Sequence, residues 1–287
     1  MKTATSLPTL YLSHGSPMIA IEPGAPGRFM QRLGRVIDER FGRPRAVLAV
    51  SPHTATRSPV LLGGLQHHAI HDFGGFPKPL YEQRYDAPGL PALAQDAQRL
   101  LNAAGIAAQI APQGGLDHGI WTVLTHMWPQ HGAQADVPVV PLSLVPSAKP
   151  ADQWRVGQAL APLAEQGVLL IGSGSLTHNL HRFFTSQAPA DAPEDPDCAA
   201  FRQWVLDRAT ARDWPALLDY RAQAPHAHAM HPTDEHWLPF YIAAGAGGEQ
   251  AVPQRIHASV DHACLAMDAY AFGPAAGELA QALATAG

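Results

Sequence analysis

A single α/β domain, with a mostly parallel or mixed central sheet flanked by helices and an active site at the strand carboxyl ends, is predicted by three short apolar runs that each lead to a histidine. Thr9 to Ser13 leads into His14-Gly15-Ser16-Pro17, and Ala46 to Ser51 into Pro52-His53-Thr54. Val168 to Ile171 passes through the turn-like Gly172-Ser173-Gly174-Ser175 to Thr177-His178-Asn179. Apolar runs of this length closed by Gly, Pro or Ser read as buried parallel strands. Open α/β sheets collect ligands in the crevice beyond the strand carboxyl ends, so the three histidines are expected to meet there.

Bulk properties narrow the field. A chain of 287 residues with 46% apolar composition has material for a sizeable core. The balance of 19 basic against 24 acidic residues, a formal charge of -5, contains no basic run, which argues against nucleic acid or an acidic membrane face as partner. No apolar signal core follows Met1 and no run is long enough to span a bilayer, so a cytoplasmic location is expected. Cys198 and Cys264 are far apart and outside any C-x-x-C pattern, and they read as inert thiols. Sixteen histidines against six tyrosines is the oddity; histidine enriched beside Gly, Pro and Ser points to transition-metal or acid/base chemistry.

In chain order, Gly27 to Phe41 has helical periodicity and would join the first two strands as a right-handed crossover, closed by Gly42 with Pro44 just beyond. Val60 to Leu65 reads as a strand, and His67 to Pro77 as a long loop whose Gly- and Pro-rich second half suits a functional role. Leu90 to Ala104 is a helix capped by Gly105, followed by a strand over Ile106 to Ile110. Asp117 is typed as a helix N-cap, which places His118 in the first turn at the positive end of the helix dipole. Pro138 to Leu144 is the next strand, and Ala151 to Gln166 the next helix, kinked near Pro162. Pro189 to Asp197 reads as a surface loop; Cys198 to Thr210 and Trp214 to Arg221 read as two helices of a small insertion. Met230 to Pro239 opens a helix with Thr233 as N-cap and Asp234 and Glu235 in its first turn. Val260 to Met267 is a late strand, and the Ala-rich tail from Pro274 a terminal helix. Without internal repeats or low-complexity linkers, one domain over residues 1–287 is favoured.

Each histidine is weighed against a plain structural role. His14 directly follows a strand, and Gly15 permits close backbone approach to a ligand, so His14 and likewise His53 fit metal ligands better than ordinary loop residues. His178 reads as a ligand or an acid/base group. His118 reads as a proton handler, because a helix N-terminus disfavours its charged form; simple capping is the alternative. Glu235 and His236 are adjacent, so a helix would aim them about 100° apart and only one would face a given point. His71 with Asp72-Phe73-Gly74-Gly75-Phe76-Pro77 would form either a flexible apolar wall for an aromatic substrate or a purely structural loop. The other ten, His67, His68, His126, His131, His181, His226, His228, His231, His257 and His262, offer no spacing argument and read mostly as surface groups.

Taken in order, Ser13-His14-Gly15-Ser16-Pro17, Ser51-Pro52-His53, Ile70-His71-Asp72-Phe73-Gly74-Gly75, Leu116-Asp117-His118-Gly119, Thr177-His178-Asn179-Leu180 and Pro232-Thr233-Asp234-Glu235-His236 resemble the class III extradiol ring-cleavage dioxygenases of the LigB type, in particular their 4,5-DOPA dioxygenase branch. The resemblance covers nearly the whole chain. It implies a non-haem metal dioxygenase in which His14 and His53 match metal ligands, while His118 and His178 match two proton-handling histidines. The wider superfamily completes its metal site with glutamate and the DOPA branch with histidine, so His236 competes with Glu235; His14, His53 and His236 are expected as core ligands, and His178 joins both the metal shell and the catalytic set. Ser16, His71 and Phe73 are placed on the substrate side. The expected cofactor is Fe(II), which binds a catecholate through two oxygens and O2 at a third position. Zn(II) can occupy the same nitrogens as isolated. The expected partners are a small aromatic diol and O2, with homo-oligomer formation left open. Two rivals share these residues: a zinc hydrolase and a non-enzymatic binding protein on the same fold.

Overall fold

Strands that are apolar on both sides need cover on both sides. The computed structural model, which describes residues 6–286, meets this need with helices on either face of one eight-stranded sheet. The strands are β1 (Thr9–Ser13), β2 (Ala46–Ala55), β3 (Val60–Leu62), β4 (Gln109–Ala111), β5 (Val139–Leu144), β6 (Val168–Gly174), β7 (Gln254–His257) and β8 (Ala269–Phe272). Their spatial order is β4-β3-β5-β2-β6-β1-β8-β7. The central strands β5, β2, β6 and β1 are mutually parallel, whereas β8 runs antiparallel to β1 and β3 antiparallel to β5, so the expected α/β sheet is of the mixed kind.

The pleat assigns the cores. Leu10, Leu12, Val47, Ala49, Leu169 and Ile171 point to one face, under α1 (Gly24–Phe41), α3 (His118–Met127) and α8 (Ala276–Thr285). Tyr11, Leu48, Val50, Val168 and Leu170 point to the other, under α2 (Pro91–Ala103), α4 (Pro150–Leu160), α6 (Pro196–Ala211) and α7 (Leu238–Gly247), while the short α5 (Leu180–Ser186) buries none of its residues. The chain leaves β1 through α1 and enters β2, yet β6 pairs with both and separates them. Three carboxyl ends that bear histidine thus lie side by side at a switch in chain order, where open sheets bind ligands.

Several boundaries differ from the sequence reading. β2 continues through Pro52, His53 and Thr54 to Ala55, because its register with β5 resumes at Ala55 opposite Leu144 after an irregularity. β6 does not turn at Gly172 but runs on to Gly174. A side chain at Gly172 would collide with the Pro239 carbonyl of α7, so the glycine serves close helix-on-strand packing. The strand at Val60 stops at Leu62, and the next one begins at Gln109 rather than Ile106. The expected kink at Pro162 is a change from α4 into a 3-10 turn over Ala161–Gln166. The helix expected from Thr233 starts at Leu238 instead, with Pro239 in its first turn; His231 to Trp237 form turns. Val260 to Met267 is a short hairpin of two-residue strands, Val260–Asp261 with Leu265–Ala266, turned through His262 and Ala263 at positive φ. Strands β7 and β8 were not anticipated. The helices after Pro196 are no separate insertion, since Phe201, Val205, Trp214 and Tyr220 join the core under α7.

Three histidines assigned to the surface are buried: His67, His126 and His231. Each binds a main-chain carbonyl, respectively Gly114 at 2.9 Å, Ile19 at 2.7 Å and Leu176 at 2.8 Å. Burial holds the His231 ring at about 3 against an ordinary 6.5, with the Leu176 hydrogen bond opposing it. The unfolded chain therefore takes up this proton first as pH falls. The stability associated with a neutral His231 is complete above pH 6.5 and is lost on acidification toward about 3.

Two outcomes are expected. Gly172→Ala should lower unfolding free energy by about 1–3 kcal/mol through overpacking, whereas Gly277→Ala in α8, with open space around it, should be neutral or slightly stabilising in the same denaturant titration. Stability of the metal-free protein should fall between pH 6.5 and pH 4, and His231→Phe should remove up to about 1.4 kcal/mol per pH unit from that slope; an unchanged slope would refute the assignment.

Candidate metal centre

Five imidazoles converge where β1, β6 and β2 end. His14 follows β1 directly, its backbone N–H donating to the Gly174 carbonyl at 2.9 Å. His53 stands in the extension of β2, and His118 is the first residue of α3. His178 follows the loop after β6, its N–H donating to Met230 O at 2.8 Å. His236 comes from the turn before α7, and its carbonyl lies so close to β6 that only glycine fits at 174; it accepts from Ser175 N–H at 3.0 Å and from the Tyr11 hydroxyl at 3.3 Å. Ring centroids are 5.2 Å apart for His14 and His53, 3.9 Å for His53 and His118, 5.5 Å for His14 and His236, and 5.0 Å for His53 and His236. His178 stacks on His236 at 3.4 Å with planes 9° apart. Two ligand-like sets result, His14 with His53 and His118, and His178 with Glu235 and His236, each with donor atoms within 4.8 Å of one another.

Outer partners decide which nitrogen carries each proton. The Ser173 hydroxyl donates to Gly119 O at 2.5 Å, so it can only accept from His14 Nδ1–H at 2.9 Å, which leaves the lone pair on His14 Nε2. The Glu235 carboxylate receives His236 Nδ1–H at 3.2 Å and the Thr233 hydroxyl at 3.0 Å, so His236 also keeps its lone pair on Nε2. Adjacent residues thus share the work instead of pointing apart as a helix would force, because they lie in a turn. Asp72 accepts from His118 Nδ1–H through both oxygens at 3.1 Å. His14 Nε2 and His53 Nε2 face each other at 3.3 Å. Two nitrogens each about 2.05 Å from one cation, at 90° to tetrahedral angles, stand about 2.9–3.4 Å apart, so the donor set fits a transition metal.

Electrostatics agree with that fit. Burial first, then neighbouring imidazoles, hold His14 and His236 well below the ordinary histidine range. Burial brings His53 to about 3, with His118 adding and Asp72 opposing, and His178 to about 4, with Glu235 opposing. All four are neutral at pH 7, the form a metal requires.

Of the residues read onto the substrate side, Phe73 packs edge-on against His118 at 5.7 Å and against His71 at 5.7 Å, with Phe76, Tyr81 and Trp121 completing an aromatic wall. His71 is tethered to Gln83 O at 3.1 Å. Ser16 caps a 3-10 turn over Pro17–Ala20, accepting from Met18 N–H at 3.3 Å. Asp117 occupies the N-cap position of α3 as expected, but its side chain makes no capping bond: it accepts from the Thr54 hydroxyl at 2.5 Å, and the His118 N–H goes to Asp72 at 3.0 Å. Ser173 and Asp72 were missed as partners. Ser173 was legible from the two-residue alternation after Leu169 and Ile171, whereas Asp72 is brought to His118 by a loop with no periodicity.

The sequence matches known proteins over the same span. The family described as the catalytic LigB subunit of aromatic ring-opening dioxygenase matches residues 8–273. A Beta vulgaris protein named 4,5-DOPA dioxygenase extradiol is 36% identical over 266 residues, covering 92% of this chain and 96% of its own. An Escherichia coli K12 protein of the same name is 35% identical over 250 residues, covering 85% and 86%. The crystal structure of an uncharacterized Escherichia coli K12 protein superposes with a TM-score of 0.73 at 28% identity, over 93% of this chain and 100% of that one. With its sheet, its histidine cluster and this span in agreement, the chain belongs to the LigB family of aromatic ring-opening dioxygenases.

Proposed function

We propose that the protein is a non-haem extradiol dioxygenase that places both atoms of O2 in a catechol-type ring and breaks one ring carbon–carbon bond beside a hydroxylated carbon, giving a ring-opened semialdehyde. The observation that carries this reading is the convergence of buried, neutral imidazoles whose Nδ1–H groups are engaged outward, in a chain similar throughout to extradiol dioxygenases. His14, His53 and His236 would hold the metal, with His178 against His236 reaching the same shell. Fe(II) bound there would supply coordination positions for both diol oxygens and O2, which makes their encounter intramolecular.

The chain's own residues supply the rest. With Nδ1–H committed to Asp72, His118 presents Nε2 as a base that can take a catechol hydroxyl proton. His178, neutral near pH 7 and stacked on His236, would exchange a proton beside the cluster. Phe73, His71 and Trp121 offer an apolar wall on which an aromatic ring can lie. Neutral lone-pair donors and a proton relay together exceed what a binding protein needs.

After anaerobic loading with Fe(II), addition of a catechol and air should consume oxygen and produce a yellow chromophore, while Zn(II)-loaded protein should not; absence of oxygen uptake with every catechol tried would overturn the proposal. His118→Ala should retain iron and lose about 10²–10⁴-fold in kcat, whereas His14→Ala should lose the iron itself. Equal iron loss in both variants would remove the division of roles.

A further inference from the structure

We propose that Asp72 is a positioning residue that sets the tautomer and orientation of His118; the proposal rests on the reading of His118 as the proton handler. A neutral imidazole has one proton for two nitrogens, and the group opposite one nitrogen decides where it resides. Both Asp72 oxygens stand 3.1 Å from His118 Nδ1, and Oδ1 also accepts the His118 backbone N–H at 3.0 Å. A carboxylate can only accept, so Nδ1 must donate, and Nε2 is left as the free lone pair.

Two further contacts widen this role. Asp72 Oδ2 lies 3.9 Å from His53 Nδ1, so one carboxylate faces the outer nitrogens of two rings whose centroids are 3.9 Å apart. The next residue, Phe73, packs edge-on against His118 at 5.7 Å. Two consecutive residues of one loop therefore grip the ring, one at its nitrogen and one at its edge, and the loop that builds the aromatic wall also sets the base. Asp117, the residue just before His118, makes no bond to that ring; its Oδ2 accepts from the Thr54 hydroxyl.

Asp72→Asn separates positioning from simple capping of α3. The amide oxygen still caps the backbone N–H, but one of the two acceptors facing Nδ1 becomes an NH2 donor, which weakens the hold on the Nδ1–H tautomer and shifts the ring toward Nε2–H. Iron-loaded Asp72→Asn should keep its iron and its KM within about threefold while kcat falls on the order of 10²-fold. Long-range proton–nitrogen NMR of the metal-free chain should show His118 as Nδ1–H in the wild type and shifted toward Nε2–H in Asp72→Asn, with Asp72→Glu returning the wild-type signal. An unchanged tautomer, an unchanged kcat, or a loss of activity accounted for by lost iron would each overturn the proposal. If the wild type cleaves no catechol, the functional reading fails, and the NMR result alone then decides the role of Asp72.

Discussion

An imidazole buried without a counter-charge is held neutral, and it must place its single proton somewhere. Desolvation makes the charged form costly, and an unmatched N–H in a dry crevice is nearly as unwelcome. The centre answers both demands with the same device. Ser173 takes the Nδ1–H of His14 and Glu235 that of His236, so their inner nitrogens carry lone pairs, and Asp72 faces Nδ1 of His118 in the same way. In the proposed reading, metal affinity and proton transfer would both follow from where these outer partners sit.

The fold exists around that arrangement to a considerable degree. Inserting β6 between β1 and β2 brings three strand ends together, although the histidines they deliver are distant in sequence. Glycines 172 and 174 let α7 and the turn before it rest on β6, and that contact carries His236 to the cluster by its main chain. Cover on both sides by apolar helices keeps water from the sheet, which strengthens every hydrogen bond near its carboxyl edge.

Much of this was legible in the residues. The apolar runs ending at His14 and His53 and before His178 disclosed strands and a shared crevice, and helices such as Gly24–Phe41 and Pro91–Ala103 matched their periodicity to within a few residues. What escaped has physical causes. Gly172 and Gly174 read as a turn because local propensity cannot register a helix packed above them. β7 and β8 are four residues each; β8 owes its place in the sheet to β1, more than 240 positions away, and β7 joins only through β8. His67, His126 and His231 looked like solvated groups because the carbonyls that satisfy them come from remote segments. Asp72 lies in a Gly-rich loop, and only the folded chain shows that it, and not Asp117, meets His118.

The central claim is that distant imidazoles share one cation through their Nε2 atoms. Anomalous scattering from crystals loaded anaerobically with Fe(II) tests it most directly. The account predicts one strong peak about 2.0–2.3 Å from Nε2 of His14, His53 and His236, with the Nδ1 atoms still turned to Ser173 and Glu235. Iron bound elsewhere, or held through Nδ1 with those outer bonds broken, would contradict it.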